Sequence, residues 1–202
     1  MRLEATSRQD LEASIRTLRE AGEHEAALEA AIRGYGAELL GFLAGVLQSV
    51  DDARDVFSDA CEDLWRGLPG FRAQASFRTW AYVVTRNALH RYLRARRQRH
   101  WTARTIPAAI DRARTATPIY LQTAVKQRVL QLRAQLSEEE RELLVLRVDR
   151  AMSWTDLALI LADPHEVPTG DSLGRMAAAH RKRFERVKER LRELARREGL
   201  LD

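Results

Sequence analysis

Residues 64–110 carry ten arginines and no aspartate or glutamate, and within that span the apolar residues recur at the spacing of a helix. Ser76 stands where an N-cap belongs, and Phe77, Trp80, Ala81, Val84, Ala88 and Tyr92 then fall on one face. That pattern predicts a helix packed on a core. The other face carries Thr79, Tyr82, Val83, Arg86 and His90, which puts a ring and cations together on the expected wet side. Single-stranded nucleic acid is held by that combination, because bases stack on rings while cations follow the phosphates. The helix then runs into Arg91, Arg94, Arg96, Arg97 and Arg99.

The stretch just before has the opposite sign: residues 51–63 hold six acids and one arginine. Asp51 or Asp52 is expected to cap a helix whose apolar set is Ala53, Val56, Phe57, Ala60, Leu64 and Trp65. Its outer side would present Asp52, Asp55, Asp59, Glu62 and Asp63. An acidic helix repels DNA, so this surface is expected to face a protein. The chain therefore has two electrostatic faces.

A chain of 202 residues allows two small domains, and 45% hydrophobic and 31% charged residues with ten Gly and five Pro suit helices rather than strands or disorder. The net charge of +5 favours a polyanionic partner. Cys61, the one cysteine, excludes an internal disulfide and reads as a small buried apolar residue, and the five histidines fall in no ligand-like spacing. No nucleophile, general-base constellation or Gly-rich phosphate loop argues for catalysis, so the chain is expected not to be an enzyme and to need no metal or cofactor. No apolar run is expected to reach the length of a membrane span and no signal-peptide core opens the chain, which implies work in the cytoplasm.

The expected class is all-α: two small helical domains joined by a flexible linker. Residues 1–22 read as an N-terminal extension with one helix, Leu11, Ile15 and Leu18 at helical spacing before Gly22. Residues 23–100 form the first domain; Gly34, Gly36, Gly41 and Gly45 interrupt its first helix, where glycine costs helix stability and allows close packing. Residues 101–125, with Pro107 and Pro118, read as the linker. Within 126–202, Ser137 with Glu140 and Ser153 with Asp156 form capping boxes ahead of Leu143, Leu144, Val148 and of Leu157, Ala158, Ile160, Leu161. A basic last helix follows, with Met176, His180, Phe184, Val187, Leu191 and Leu194 on one side. Two compact helices and a basic third are the layout of a helix-turn-helix. If the His180 face packs, Lys182, Arg186 and Glu189 lie opposite it with Glu185 beside them.

These residues resemble the extracytoplasmic-function group of bacterial RNA polymerase sigma factors. Asp52 to Val56 with Leu64 and Trp65 looks like that family's core-polymerase-binding helix. Phe71, Arg72, Ala75 to Trp80, Arg86 and Asn87 look like its promoter-melting and minus-ten-reading segment. Ser153 to Ala158 with Arg183 to Leu191 looks like the helices of its minus-thirty-five-reading domain. The resemblance implies a sigma factor that binds core RNA polymerase and directs promoter recognition and melting. It implies polymerase contacts at Asp52, Asp55, Asp59, Glu62 and Asp63, and minus-ten contacts at Arg78, Tyr82, Arg86, Asn87, His90, Arg91, Arg94 and Arg97. Upstream, Lys182, Glu185 and Arg186 would reach base edges while Arg181 and Arg183 hold phosphates. Promoter DNA would be met both as duplex and as melted strand, and an anti-sigma partner is left open. Two departures stand out: Ser58 occupies a position where the family usually has Gln, and the turn between Leu161 and Ala178 is longer than usual. The competing reading is a helix-turn-helix regulator whose N-terminal domain is a dimerisation module.

Overall fold

The computed structural model describes residues 2–103, 124–163 and 168–200. Among them are eight α-helices and no strand: α1 Arg2–Glu20, α2 His24–Leu47, α3 Val50–Gly67, α4 Phe77–Ala103, α5 Ala124–Ala134, α6 Glu138–Leu144, α7 Trp154–Ile160 and α8 Gly170–Arg197. Most of the expected linker lies outside the described residues. Leu121 is among the residues not described.

The first unit is built around α2, which packs on α1, α3 and α4 and, on its remaining side, on α6 of the second unit. By length and apolar composition α2 could cross a membrane, contrary to the expectation that no run here reaches that length. Its apolar residues serve a protein core instead: Ala27, Ala31, Tyr35, Leu39, Phe42, Leu43 and Val46 are all buried. Removing each of the larger ones from water contributes about 1.5–3 kcal/mol. Two of its glycines let helices come close. A Cβ at Gly34 would collide with Leu11 of α1, and one at Gly45 would come within 3.1 Å of Val145 in the second unit.

The N-cap of α3 is Ser49, whose hydroxyl accepts the Asp52 N–H at 3.2 Å, and not Asp51 or Asp52 as expected. Ser49 is extended, as a cap must be, while both aspartates sit inside the first turn, where their charge favours the helix dipole. Leu68–Gly70 form a 3-10 turn, and Ser76 then caps α4, its hydroxyl accepting the Thr79 N–H at 3.0 Å.

In the second unit Ser137 and Glu140 form the reciprocal capping box expected of them. Ser153 caps α7 by accepting the Asp156 N–H at 3.0 Å, but its partner does not reciprocate: the Ser153 hydroxyl donates to Asp156 at 2.6 Å. Between α6 and α7 the chain makes a wide turn, Val145–Asp149, closed by i to i+5 hydrogen bonding. The extra residue rotates the register, and Val148 faces solvent rather than the core. Trp154 of α7 packs edge-on against Phe184 of α8 at 5.7 Å, and Val187 is the buried centre of α8.

The second half of the long turn foreseen before Ala178 is helix. Thr169 and Ser172 close a cap, the Thr169 N–H donating to the Ser172 hydroxyl at 2.8 Å, so α8 starts at Gly170. Lys182 therefore lies about 18 Å along the helix from its start.

Candidate nucleic-acid interface

Helix α4 is buried on two sides. Phe77, Ala81 and Ala88 face α2 and α3 as expected, with Trp80, Val84 and Tyr92 packed partly buried against the same core. Thr79, Tyr82, Arg86 and His90, expected on the wet side, are covered by the second unit or by α2. Tyr82 is fully buried, edge-on to Phe42 at 5.5 Å, with its hydroxyl donating to Glu38 at 2.9 Å. Burial and the Glu38 charge push its phenol far above its ordinary value. It offers no ring to a base here.

Glu38 of α2 together with side chains and carbonyls of the second unit accounts for the rest of that face. Arg78 pairs with Glu38 and donates to the Arg150 carbonyl at 2.8 Å and to the Met152 sulfur at 3.0 Å. Thr79 donates to Asp156 at 2.9 Å. Arg86 donates to Glu142 at 2.9 Å and to the Ala162 carbonyl at 3.3 Å, while His90 bonds the other Glu142 oxygen at 2.6 Å. Glu142 is 1% exposed. Burial pushes its carboxyl up, but the His90 hydrogen bond and the Arg86 and His90 charges outweigh that and hold it below the usual carboxylate range. Arg141 closes the contact from the other side, donating to the Val46 carbonyl at the end of α2 at 2.9 Å.

Next to this contact lies an open cleft of about 590 Å³ lined by Arg86, Asn87, His90, Arg91 and Arg94 and by residues 161–163. It is the basic surface that the charge pattern foretold, roofed by the second unit. Arg94 is exposed there, and Arg97 is exposed with Glu138 3.7 Å away.

The acids of α3 divide. Asp55, Asp59 and Glu62 are exposed, whereas Asp52 and Asp63 are only half exposed because α3 packs along α4 and they meet its arginines, Asp63 pairing with Arg91 and Asp52 lying 3.9 Å from Arg96. Adjacent segments of opposite sign thus neutralise each other partly across one helix pair. Trp65, expected in the core, is 49% exposed, beside Leu28 and Ile32 in a shallow surface groove of about 710 Å³. Cys61 is half-buried, and burial pushes its thiol up, so it is a poor nucleophile.

On α8, Arg181, Lys182, Glu185, Arg186 and Glu189 are exposed, as the face argument required. Arg181 also lies over the Trp154 ring at 5.4 Å, Arg183 pairs with Glu139, and Glu185 holds Lys188 at 2.7 Å. His180 is half-buried, and burial with the Arg183 and Arg86 charges holds it below its ordinary value. Arg175, exposed in the early turns of α8, was not singled out from the sequence because that stretch reads as loop.

The Sigma-70 region 2 family model matches residues 31–99, which is α2 to α4 without α1. The chain is 26% identical over 141 residues to RNA polymerase sigma factor YlaC of Bacillus subtilis, covering 69% of this chain and 82% of that one. It is 27% identical over 139 residues to the RNA polymerase sigma-H factor of Pseudomonas aeruginosa, covering 64% and 72%. Its fold is that of the sigma factor RpoE from Bartonella quintana, solved with the anti-sigma factor NepR, at a TM-score of 0.64 and 18% identity over 83% of this chain and 96% of that one. A region 2 domain thus stands where the competing reading put a dimerisation module. With α2 to α4 matched by region 2, relatives that are sigma factors over most of their length, and the helix-turn-helix following in the same chain, the comparisons support a bacterial RNA polymerase sigma factor of the extracytoplasmic-function group, acting in transcription initiation.

Proposed function

We propose that the chain divides its contacts among three surfaces. The exposed acids Asp55, Asp59 and Glu62 on α3, with the Trp65 groove beside Leu28 and Ile32, dock on core RNA polymerase. The α4 surface around Arg86, Asn87, His90, Arg91, Arg94 and Arg97 receives the minus-ten strand, with Arg78 and Tyr82 shaping the helix from beneath. The outer face of α8, with Lys182, Glu185 and Arg186 toward base edges and Arg181 and Arg183 toward phosphates, reads the minus-thirty-five duplex. Like other sigma factors the protein is a specificity subunit rather than an enzyme, and its work lies in the cytoplasm with the polymerase. The domain division at residues 23–100 and 126–202 follows these surfaces.

The observation that carries this reading is that Arg86 and His90, on the basic cleft of α4, are bound to a buried carboxylate of the second unit. Two elements named for positions minus ten and minus thirty-five lie more than two duplex turns apart, about 80 Å. Two units in direct contact cannot read both. The described conformation is therefore the one held off DNA, and nucleic acid and the second unit compete for one face of α4. A partner of the anti-sigma kind, such as the Bartonella protein binds, would act by favouring this closed form. Reconstitution with core polymerase tests the reading: transcription from promoter fragments, with permanganate probing of unpaired thymines, should depend on Arg86 and Arg94. Full promoter opening by an Arg86→Ala, Arg94→Ala double variant would contradict it.

A further inference from the structure

Helix α1 lies outside the matched region 2 segment, yet two of its side chains hold both ends of the loop that leads into α4. At the downstream end the Glu12 carboxylate accepts the Phe77 N–H at 2.8 Å and the Arg78 N–H at 2.9 Å. Ser76 satisfies the next amide, its hydroxyl accepting from Thr79 at 3.0 Å, and its carbonyl accepts the first regular helical bond, from Trp80 at 3.1 Å. Three orphan donors of the α4 N-terminus, the amides of Phe77, Arg78 and Thr79, are then occupied, two of them by α1. The Tyr35 hydroxyl donates to Glu12 at 2.7 Å and fixes the carboxylate in turn. At the upstream end Arg19 donates to the Phe71 carbonyl at 2.7 Å and lies over the Phe71 ring at 5.2 Å, while that ring stacks on Trp80 at 4.9 Å.

Glu12 and Arg19 are seven residues apart, two turns on one face of α1, so they fix the separation of the loop ends as a rigid strut would. Between those ends Arg72, Ala73, Gln74 and Ser76 are exposed, and Ala73 has φ of 55°, a left-handed conformation that a non-glycine residue holds at a cost of about 1 kcal/mol. A strained, exposed loop clamped at both ends is preorganised, and the clamp lies outside the domain it serves.

We propose that α1 sets the conformation of loop 72–76, making Glu12 and Arg19 positioning residues for base selection in the minus-ten element. This rests on reading the segment around 71–80 as the one that meets that element. Holoenzyme reconstituted from the full chain and core polymerase is assayed on a library randomised across the minus-ten element, with four proteins: wild type, a Glu12→Gln, Arg19→Gln clamp variant, an Arg19→Gln variant and an Arg72→Ala, Gln74→Ala loop variant. Arg19→Gln alone serves as a milder clamp variant, since it leaves the Glu12 hydrogen bonds to the Phe77 and Arg78 amides in place. The expected result is that clamp and loop variants lose preference at the same base positions, by about fivefold. Affinity for core polymerase and preference at the minus-thirty-five element should stay as in wild type. Amide exchange at Phe77 and Arg78 should quicken in the Glu12 variant alone. A loop variant with altered preference beside clamp variants with wild-type preference overturns the role of α1 and leaves the minus-ten reading standing. Unaltered preference in the loop variant overturns both. Clamp variants that weaken all sequences alike show a merely structural α1.

Discussion

Arg86 of α4 and Glu142 of α6, 56 positions apart in the chain, form an ion pair at 2.9 Å with the carboxylate side chain 2% exposed. A charge so placed is tolerated only with its partners, and breaking such a pair by removing one member costs about 3–5 kcal/mol where the structure cannot relax. Here the two units can part instead. Replacing Glu142 by Ala should therefore release the second unit from α4 rather than unfold either one. The free chain should then bind a single-stranded minus-ten oligonucleotide more tightly than wild type, read by fluorescence anisotropy. Equal affinity would mean that the contact does not guard that face.

Acid should loosen the same contact. In the closed form the His90 hydrogen bond and the Arg86 charge hold the Glu142 carboxyl below its ordinary value despite burial. A group depressed in one state stabilises that state above its ordinary pKa and stops doing so as pH falls through the depressed value. The contribution is thus complete above the ordinary carboxylate range, about 4.3, and is lost progressively as pH falls from there through the depressed value. Compared with a Glu142→Gln variant, wild type should be the more closed protein at neutral pH, and the two should converge on acidification. A difference that persists at low pH would show that the carboxylate charge is not what matters.

Tyr82 bears on stability rather than on stacking. Truncating this fully buried ring to Ala should cost about 3–5 kcal/mol, while Tyr82→Phe, which keeps the Phe42 contact and loses only the bond to Glu38, should cost about 1 kcal/mol. Urea unfolding of the two variants separates these values. A Tyr82→Ala protein of wild-type stability would mean that the ring is not core.

Polymerase docking should depend on the acids that face outward. Asp55→Lys with Asp59→Lys should abolish binding to core polymerase with little change in unfolding free energy, since exposed charges contribute about 0–1 kcal/mol. Reversing Asp52 and Asp63 should instead disturb their contacts with Arg96 and Arg91. A pull-down in which the Asp55, Asp59 variant still retains polymerase would place the docking surface elsewhere.

On α8, Arg186→Ala should cost about 1–3 kcal/mol at one base position of the upstream element and relax preference there, whereas Arg183→Ala should weaken all sequences alike. The early start of the helix adds Arg175 as a control. Should Arg175→Ala, and not Arg186→Ala, relax base preference in a binding selection, the reading face begins two turns earlier.

The caps at Ser76 and Ser137 and the core face of α4 were legible because local spacing and local hydrogen bonding determine them. The second buried face of α4 was not. It is polar in sequence, and its burial depends on Glu38, Glu142 and Asp156, carboxylates that reach it from elements far along the chain. The same holds for Glu12, which caps amides 65 and 66 residues away and so leaves no local trace beyond its place in an amphipathic helix. Asp52 and Asp63 read as outward because period alone assigns a charged residue to solvent, and only the pairing of α3 with α4 turns them toward arginine. The start of α8 was misplaced because the stretch up to Ala178 reads as a long turn, while the Thr169 and Ser172 cap starts the helix at Gly170.

The central claim is that the second unit covers the nucleic-acid face of α4 off DNA and leaves it on the promoter. The distance between spin labels at Arg33 on α2 and Glu193 on α8, with Cys61 replaced by Ser, measures this directly by pulsed dipolar spectroscopy. The free chain should give one short, narrow distance, and the holoenzyme on promoter DNA one longer by tens of Å, as elements about 80 Å apart require. A distance that is the same in both states, or already long in the free chain, would contradict it.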